Sequence, residues 1–152
     1  MKQKVMDTAR RLGLDVDVTT LDAPTRTVQE AAQSVGCENG QIAKSIVFVA
    51  DGDPVVVVAS GAHRVDLNLL CEAIDCAEAR SASPDEVRVA TGFPVGGVCP
   101  FGHELPVIFD EALLEYDWVW AAGGDGNTVF KVDPHVLCER IGARVARVAG
   151  AA

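Results

Sequence analysis

The chain has 152 residues, 49% of them hydrophobic, and a formal net charge of −9. This size and composition indicate one globular domain spanning residues 1–152. No stretch approaches the roughly 20 apolar residues of a membrane-spanning helix, and the N-terminus lacks the apolar core of a signal peptide, so we expect a cytoplasmic protein without membrane association. The acidic balance argues against nonspecific nucleic-acid binding, because phosphate neutralisation requires lysines and arginines. It leaves room for a nucleic acid that docks on a local basic patch.

Helical spacing, alternation and capping residues divide the chain into short elements. In chain order, these patterns predict a helix over residues 2–12, a short half-exposed strand at 16–18, a helix over 27–36, strands over 41–50 and 54–60, helices over 66–74 and from 83, strands over 107–109, 118–122 and 128–132, a helix over 134–141, and a final strand or tail over 143–148. The continuously apolar strand at 54–60 is expected to be central. We therefore predict an α+β fold: a single compact domain with a mixed or antiparallel β-sheet flanked by helices.

The cysteines and histidines give no metal signature. The five cysteines are odd in number and contain no CxxC motif, and the histidines are scattered at positions 63, 103 and 135. Neither set has the spacing of a zinc site, so no metal site is predicted. Cys71 and Cys138 fall on helical patterns, and we expect both to be buried small hydrophobic residues.

Lys44 is the most informative single residue. It lies within an apolar strand pattern, where it shares a face with Ile42 and Ile46, and the other three lysines of the chain lie near its two ends. An ammonium on an apolar face costs free energy unless it is paired or faces a cleft. The alternative is a strand-end lysine whose stem packs while its charged group reaches water.

The second informative feature is the segment 91–106, which contains four glycines and three prolines. Gly96 and Gly97 lack Cβ atoms, so a ligand can approach their amides closely, and Pro100 would stiffen the turn. Successive free amides form an anion or oxyanion site. The alternative is an ordinary glycine-proline loop.

Together, in their order along the chain, these motifs resemble the YbaK/prolyl-tRNA synthetase-associated domain family, whose members are aminoacyl-tRNA deacylases that edit in trans. The resemblance covers residues 20–145. The motifs that carry it are Ile42-Ala43-Lys44-Ser45-Ile46-Val47-Phe48, Ser60-Gly61-Ala62-His63-Arg64-Val65-Asp66-Leu67, Thr91-Gly92-Phe93, Gly96-x-x-x-Pro100 and Phe101-Gly102.

The resemblance places the family lysine on Lys44 and the family GxxxP loop on Gly96 to Pro100, and it makes Gly123-Gly124 a turn that helps to line the pocket. It departs at Ser45, where some alanine-specific members have asparagine, and no histidine lies between positions 103 and 135. The amino-acid specificity is therefore not carried over.

The resemblance implies hydrolysis of a mischarged aminoacyl-tRNA. The amides around Gly96 and Gly97 would hold the ester carbonyl, Lys44 would hold the terminal-adenosine phosphate or orient the reacting end, and water would attack. Ser45, Pro100 and the Gly123-Gly124 turn are the expected substrate-binding residues. The implied partners are the aminoacylated end of a tRNA and an aminoacyl-tRNA synthetase, and no metal or organic cofactor is required. The sequence leaves open a monomer or a homodimer.

Two other functions remain open at this point: a noncatalytic binding module of the same fold that recognises an aminoacylated end or a protein partner, and a small-ester or thioester hydrolase. Cys99 lies inside the loop and is a weaker candidate nucleophile, because nothing near it in sequence signals thiolate activation. His63 and His103 are more typical of satisfied loop histidines than of bases. Asp66 is more simply a helix cap.

Overall fold

The computed structural model describes residues 2–150 except residues 24 and 26. Its helices are Lys2–Arg11 (α1), Val28–Val35 (α2), Leu67–Ile74 (α3), Pro84–Thr91 (α4) and Pro134–Arg140 (α5). Its strands are Thr19–Thr20 (β1), Ile42–Ala50 (β2), Asp53–Ser60 (β3), Ala79–Ser81 (β4), Val107–Asp110 (β5), Val119–Ala122 (β6), Thr128–Val132 (β7) and Arg144–Ala146 (β8). Short 3-10 helices occupy Asn39–Gln41 and Glu111–Glu115.

The strands form one mixed sheet in the order β1-β7-β6-β2-β3-β5-β8, and β4 pairs with β2 beside this path. Four pairings are antiparallel, including the β2–β3 hairpin, and the β2–β6, β3–β5 and β5–β8 pairings are parallel. This confirms the predicted α+β class. The apolar strand β3 lies between β2 and β5, and residues 55–60 are all buried, as expected for a central strand.

Helix ends follow the capping residues in the sequence. The Thr27 side chain accepts a hydrogen bond from the Glu30 amide, and Ser83 and Glu86 form a complete capping box at α4. Asp66 accepts hydrogen bonds from two amides of the first turn of α3, which confirms it as a helix cap. The predicted helix bounds are therefore correct to within a residue or two at these ends.

One edge of β2 is interrupted. On that edge β2 pairs with β6 only at Ile42 and Ala43, and with β4 only from Phe48 to Ala50. The Val47 carbonyl accepts a hydrogen bond from the Ala82 amide at 3.1 Å. Lys44, Ser45 and Ile46 therefore border an opening in the sheet, where neither β6 nor β4 continues the ladder.

The two faces of the sheet carry separate cores. Val47, Val56 and Phe109 belong to the larger cluster, which also receives Val5 and Ala9 of α1. Phe48, Val57 and Leu70 belong to the cluster on the opposite face, under α3, and Ile42 packs against α2. Because side chains alternate along β2, Ser45 points to the first face and Lys44 to the second.

Some sequence expectations were wrong. Val16 and Val18 are buried, but the strand lies at Thr19–Thr20, because β7 offers its ladder only there. Alternation reports burial, whereas a strand also requires a partner. The three-residue strand β4 and the 3-10 helices were not predicted. Cys138 is buried as expected, but Cys71 is only half-buried.

Candidate functional site

A cavity of about 230 Å³ occupies the opening beside β2, and we call it the split pocket. It lies between the free edge of β2, helix α2, the β6–β7 turn and the segment from Gly96 to Pro100, which we call the glycine loop. Apolar groups dominate its wall, and hydroxyls and one ammonium interrupt them. Its lining residues are Thr25, Thr27, Val28, Ala31, Val35, Ile42, Ala43, Lys44, Ser45, Gly96, Val98, Trp120, Ala121, Ala122, Gly126, Thr128 and Val129.

Lys44 and Ser45 contribute the polar groups of the β2 edge. Lys44 is half-buried and makes no ion pair with the residues that the structure describes. The buried Oγ of Ser45 has no hydrogen-bond partner among those residues either. A buried polar atom without a partner costs free energy unless something binds it. Both side chains are therefore available to a ligand in the split pocket.

The charge of Lys44 is set by three influences. Burial lowers the pKa of its ammonium below the ordinary lysine value, and the Arg64 guanidinium lowers it further. The Asp110 carboxylate opposes both by raising it. An ammonium beside another cation and without an ion pair is prepared to receive an anionic group.

Asp110 lies outside the lining of the split pocket but raises the pKa of Lys44, and sequence reasoning missed it. Lys44 pairs with Ala59 on β3, and the β3–β5 register, which pairs Val58 with Phe109, brings Ala59 beside Asp110. The three residues thus form one row on the same face, with Ala59 on the strand between lysine and carboxylate. The only sequence signal is a carboxylate that directly follows the apolar run 107–109.

The Asp110 carboxylate is firmly held. Asp110 is only 2% exposed, and its two oxygens accept hydrogen bonds from the Ser60 and Ala112 amides, both at 3.0 Å. His63 Nδ1 lies 3.7 Å from Asp110 Oδ2. A buried carboxylate with two amide donors keeps a fixed position, so it can act as a fixed counter-charge for Lys44.

The glycine loop reaches the split pocket through Gly96. Residues 94–97 form a turn in which the Gly97 amide donates to the Pro94 carbonyl at 3.0 Å, and Gly96 has φ +86°. A positive φ at the third position of such a turn favours glycine. The Gly97 N–H is therefore already engaged. The N–H groups of Gly96 and Val98 have no hydrogen-bond partner among the described residues.

Gly97 and Gly123 both occupy positions that leave no room for a side chain. A Cβ at Gly97 would lie 3.0 Å from backbone atoms of Gly124 and Asp125, and a Cβ at Gly123 would lie 2.7 Å from Val18. The Gly123 amide donates to the Thr128 carbonyl at 2.9 Å. Gly97 therefore lets the loop pack directly against the β6–β7 turn, and Gly123 makes room for the Val18 side chain. The turn supplies Gly126 and Thr128 to the pocket wall.

The structure therefore brings together some of the expected site residues and sets others behind them. Lys44, Ser45 and Gly96 line the split pocket. Gly97, Gly123 and Gly124 lie behind its wall, where they support the loop and the turn. Pro100 is buried at the far end of the loop and is not part of the lining.

Two of the weaker candidates, Cys99 and His103, are poorly suited to act as a nucleophile or a base. Cys99 is completely buried, and burial raises the pKa of its thiol to about 12, so it stays protonated near neutral pH. Burial lowers the pKa of His103, whose Nδ1 accepts a hydrogen bond from the Leu105 amide at 3.2 Å.

Within the described residues, no group of three or more His, Cys, Asp or Glu side chains could hold a metal ion. None of the described helices is long and apolar enough to cross a membrane.

Three comparisons with known proteins agree with this geometry. A protein of Bacillus subtilis (strain 168) named YwhH, which is uncharacterized, is 37% identical over 126 residues, covering 81% of this chain and 80% of its own. The proline–tRNA ligase of Maridesulfovibrio salexigens is 33% identical over 107 residues, and the match covers 69% of this chain but only 18% of the ligase. A solved structure described as a proposed trans-editing enzyme for prolyl-tRNA synthetase superposes with a TM-score of 0.92 at 41% identity, covering 99% of this chain and 97% of that one.

The family described as the aminoacyl-tRNA editing domain matches residues 22–140, which include every element that lines the split pocket. The sheet order, the interrupted β2 edge and the glycine loop thus occur in a chain whose sequence and fold both resemble tRNA-editing proteins. The protein belongs to the aminoacyl-tRNA editing domain family.

Proposed function

We propose that this protein is an aminoacyl-tRNA deacylase that hydrolyses the ester of a mischarged tRNA in trans. The observation that carries the proposal is that three residues lining one cavity offer polar groups without a partner among the described residues: the Lys44 ammonium, the Ser45 hydroxyl and the Gly96 amide. An aminoacyl ester is already activated, so its hydrolysis needs mainly positioning and stabilisation of the developing oxyanion. Such a site requires no side-chain nucleophile.

The size of the split pocket limits what enters it. A volume of about 230 Å³ lies below the roughly 300–1,000 Å³ of pockets that hold drug-sized ligands. The aminoacyl group fits such a space, and the rest of the tRNA then stays outside. Apolar walls from α2 and β6 would surround the amino-acid side chain, and the Ser45 hydroxyl would bond a polar atom of the aminoacyl group.

Each polar group has a role in the proposed reaction. The free amides of Gly96 and Val98 would donate to the ester carbonyl oxygen as it becomes an oxyanion. Gly97 would contribute through its missing side chain, because its own N–H already bonds Pro94. Lys44 would hold the phosphate of the terminal adenosine. A water oxygen attacks the carbonyl carbon, the ester bond to the ribose breaks, and the ribose oxygen takes a proton.

The likeness to proline–tRNA ligases supports tRNA as the partner, although the chain spans less than a fifth of their length. A freestanding editing protein would meet its substrate in the cytoplasm, where aminoacyl-tRNAs are made and used. A panel of mischarged tRNAs that begins with tRNA specific for proline is therefore the first substrate set to test.

The decisive experiment compares Lys44→Ala with Lys131→Ala. Lys131 lies on the same sheet but is exposed, with its Nζ 5.0 Å from the centre of the Trp118 ring. We expect Lys44→Ala to lose deacylation by at least about a hundredfold, the cost typical of losing a key electrostatic group. Its thermal stability should be equal or higher, because burial and Arg64 together outweigh Asp110 and disfavour the Lys44 charge in the folded protein. Lys131→Ala should keep the parent rate.

Undiminished turnover in folded Lys44→Ala would refute the role of Lys44. If the parent protein binds aminoacylated tRNA but does not hydrolyse it, the protein is a noncatalytic binding module. Turnover of short esters but not of tRNA would select the small-ester hydrolase.

A further inference from the structure

Two cysteines that do not line the split pocket meet at the end of α3. Cys71 lies in α3, and Cys76 follows the end of that helix. The Cys76 thiol donates a hydrogen bond to Cys71 Sγ, with 2.7 Å between the two sulfur atoms. An S–S bond is about 2.05 Å long, so the sulfurs lie within 1 Å of bonding distance.

The backbone on both sides of Cys76 fixes this approach. Asp75 ends α3 in a left-handed conformation with φ 58°, and the Cys76 amide then donates to the Cys71 carbonyl at 3.0 Å. The next two amides, of Ala77 and Glu78, donate to the Asp51 carboxylate at 2.9 to 3.1 Å. The pair is therefore held together by the fold and not only by side-chain rotamers.

We propose that Cys71 and Cys76 are a reversible dithiol–disulfide site that is oxidised by low-molecular-weight disulfides. The proposal concerns a surface separate from the split pocket and does not depend on editing activity. Cys71 lines a cavity of about 490 Å³ together with Asn68 and Arg80, which gives a small reagent access to its sulfur. Cys76 packs against the buried cluster under α3 and does not line this cavity.

The order of the two steps follows from the hydrogen bond. Cys76 is the donor, and burial together with this contact raises the pKa of its thiol to about 11, so Cys76 is held as a thiol and Cys71, which lines the cavity, reacts first. The Cys71 thiolate attacks the small disulfide, forms a mixed disulfide and releases one small thiol. Cys76 then loses its proton and attacks Cys71 Sγ, which releases the second small thiol.

The electrons balance across these steps. The two protein thiols lose two electrons and two protons, one S–S bond forms between them, and the small disulfide is reduced to two thiols. Excess small thiol reverses the reaction. Both protein thiols must be deprotonated in turn, so the rate of closure should rise with pH.

The test uses the whole protein in glutathione buffers of increasing oxidised fraction. Glu72 lies between the two cysteines, so cleavage after glutamate separates them into peptides that only a disulfide can link. We expect the linked peptides, with the loss of two hydrogen atoms in mass, to become the main species while Cys37 remains mostly a free thiol. Cys37 is also half-buried but has a carbonyl, not a thiol, as its partner, which makes it the matched control.

Single variants test the assignment of roles. Cys76→Ser should accumulate glutathione on Cys71, Cys71→Ser should be modified at Cys76 at least tenfold more slowly, and Cys37→Ser should form the linked peptides as the parent does. If Cys71→Ser fails to fold, peptide mapping of the parent protein still decides the question. Glutathionylation of Cys37 in preference to linkage, or a stable mixed disulfide on Cys71 in the parent, would overturn the proposal.

Discussion

Lys44 keeps a half-buried ammonium beside an apolar core, and the residues around it determine whether it stays charged. Burial and Arg64 favour the neutral amine, whereas Asp110 favours the ammonium. Asp110 approaches Lys44 across Ala59, whose side chain is too small to block the path. The pKa of Lys44 remains below the ordinary lysine value. An anion bound beside it would therefore stabilise the ammonium further.

The sign of the linkage to folding follows from that direction. Between the lowered pKa of folded Lys44 and the unfolded value of about 10.4, the unfolded chain binds more protons than the folded one. The contribution of Lys44 to the free energy of unfolding therefore rises with pH across this window. At pH values below this window, Lys44 is charged in both states, and its charge lowers the free energy of unfolding.

We predict that Asp110→Asn lowers the pKa of Lys44 further. The chain has four lysines, so reductive ¹³C-methylation gives a simple spectrum in which Lys44→Arg identifies the Lys44 signal. In the parent, that signal should titrate at lower pH than the other lysines, and in Asp110→Asn at lower pH still. The variant should also lose about 1–3 kcal/mol of stability, because one buried amide loses its carboxylate acceptor.

Asp133→Asn is the matched control, because Asp133 also accepts from two amides but caps α5. It should leave the Lys44 titration unchanged. A folded Asp110→Asn protein with an unmoved Lys44 signal would show that Asp110 does not position the charge.

At the scale of the elements, pattern and capping residues identified the long strands and the helices. β2 and β3 are nine and eight residues long, and their apolar runs and tight turn were sufficient to predict the hairpin. β4 has three residues and depends on β2 for its ladder, so no local pattern indicates it. The shift from 16–18 to β1 has the same origin, because pairing is decided by a distant strand.

The candidate site divides in the same way. Lys44 and the glycine loop were identified from the strand pattern and the glycine-proline composition, and the family resemblance assigned their roles. The structure places Lys44, Ser45 and Gly96 around one pocket. The Gly97 hydrogen bond to Pro94 and the row from Lys44 to Asp110 could not be predicted. The first depends on the conformation of one turn, and the second depends on the register of three strands.

The loop can be tested with two glycines of equal backbone strain. Gly96 and Gly92 have φ +86° and +79°, and a Cβ at either meets nothing within 4 Å. Alanine at each should cost a similar amount of stability, about 1–2 kcal/mol for a left-handed non-glycine residue. Only Gly96→Ala should lower single-turnover deacylation sharply, by about 10²–10³ if it misplaces the amide that binds the carbonyl oxygen.

Melting temperature and single-turnover rate are measured on the same preparations. Deacylation at the parent rate in both variants would show that Gly96 serves the turn and not the chemistry. An equal loss in both would trace the effect to stability.

At the scale of the whole molecule, the proposed function requires an acidic protein to recognise a polyanion. The net charge is −9, and three arginines, Arg10, Arg80 and Arg88, already pair with carboxylates. Arg64 is exposed and makes no ion pair with the described residues, and it lies near enough to Lys44 to lower its pKa. Recognition would then depend on a few phosphates at the acceptor end and not on a broad basic surface.

This arrangement predicts a weak salt dependence of binding. Each phosphate contact to a single strand contributes a slope of about −0.7 in a plot of log affinity against log salt concentration, so contacts by Lys44 and Arg64 give about −1.4. The ligand for this measurement is a tRNA that carries an amide-linked amino acid, which has no ester bond to hydrolyse. Arg64→Gln should reduce the magnitude of the slope by about 0.7, because it removes one contact. Arg88→Gln, which removes an arginine paired with Asp85, should leave the slope unchanged.

A much steeper slope in the parent would require a larger basic interface than Lys44 and Arg64 supply. An unchanged slope in Arg64→Gln would show that Arg64 does not contact a phosphate.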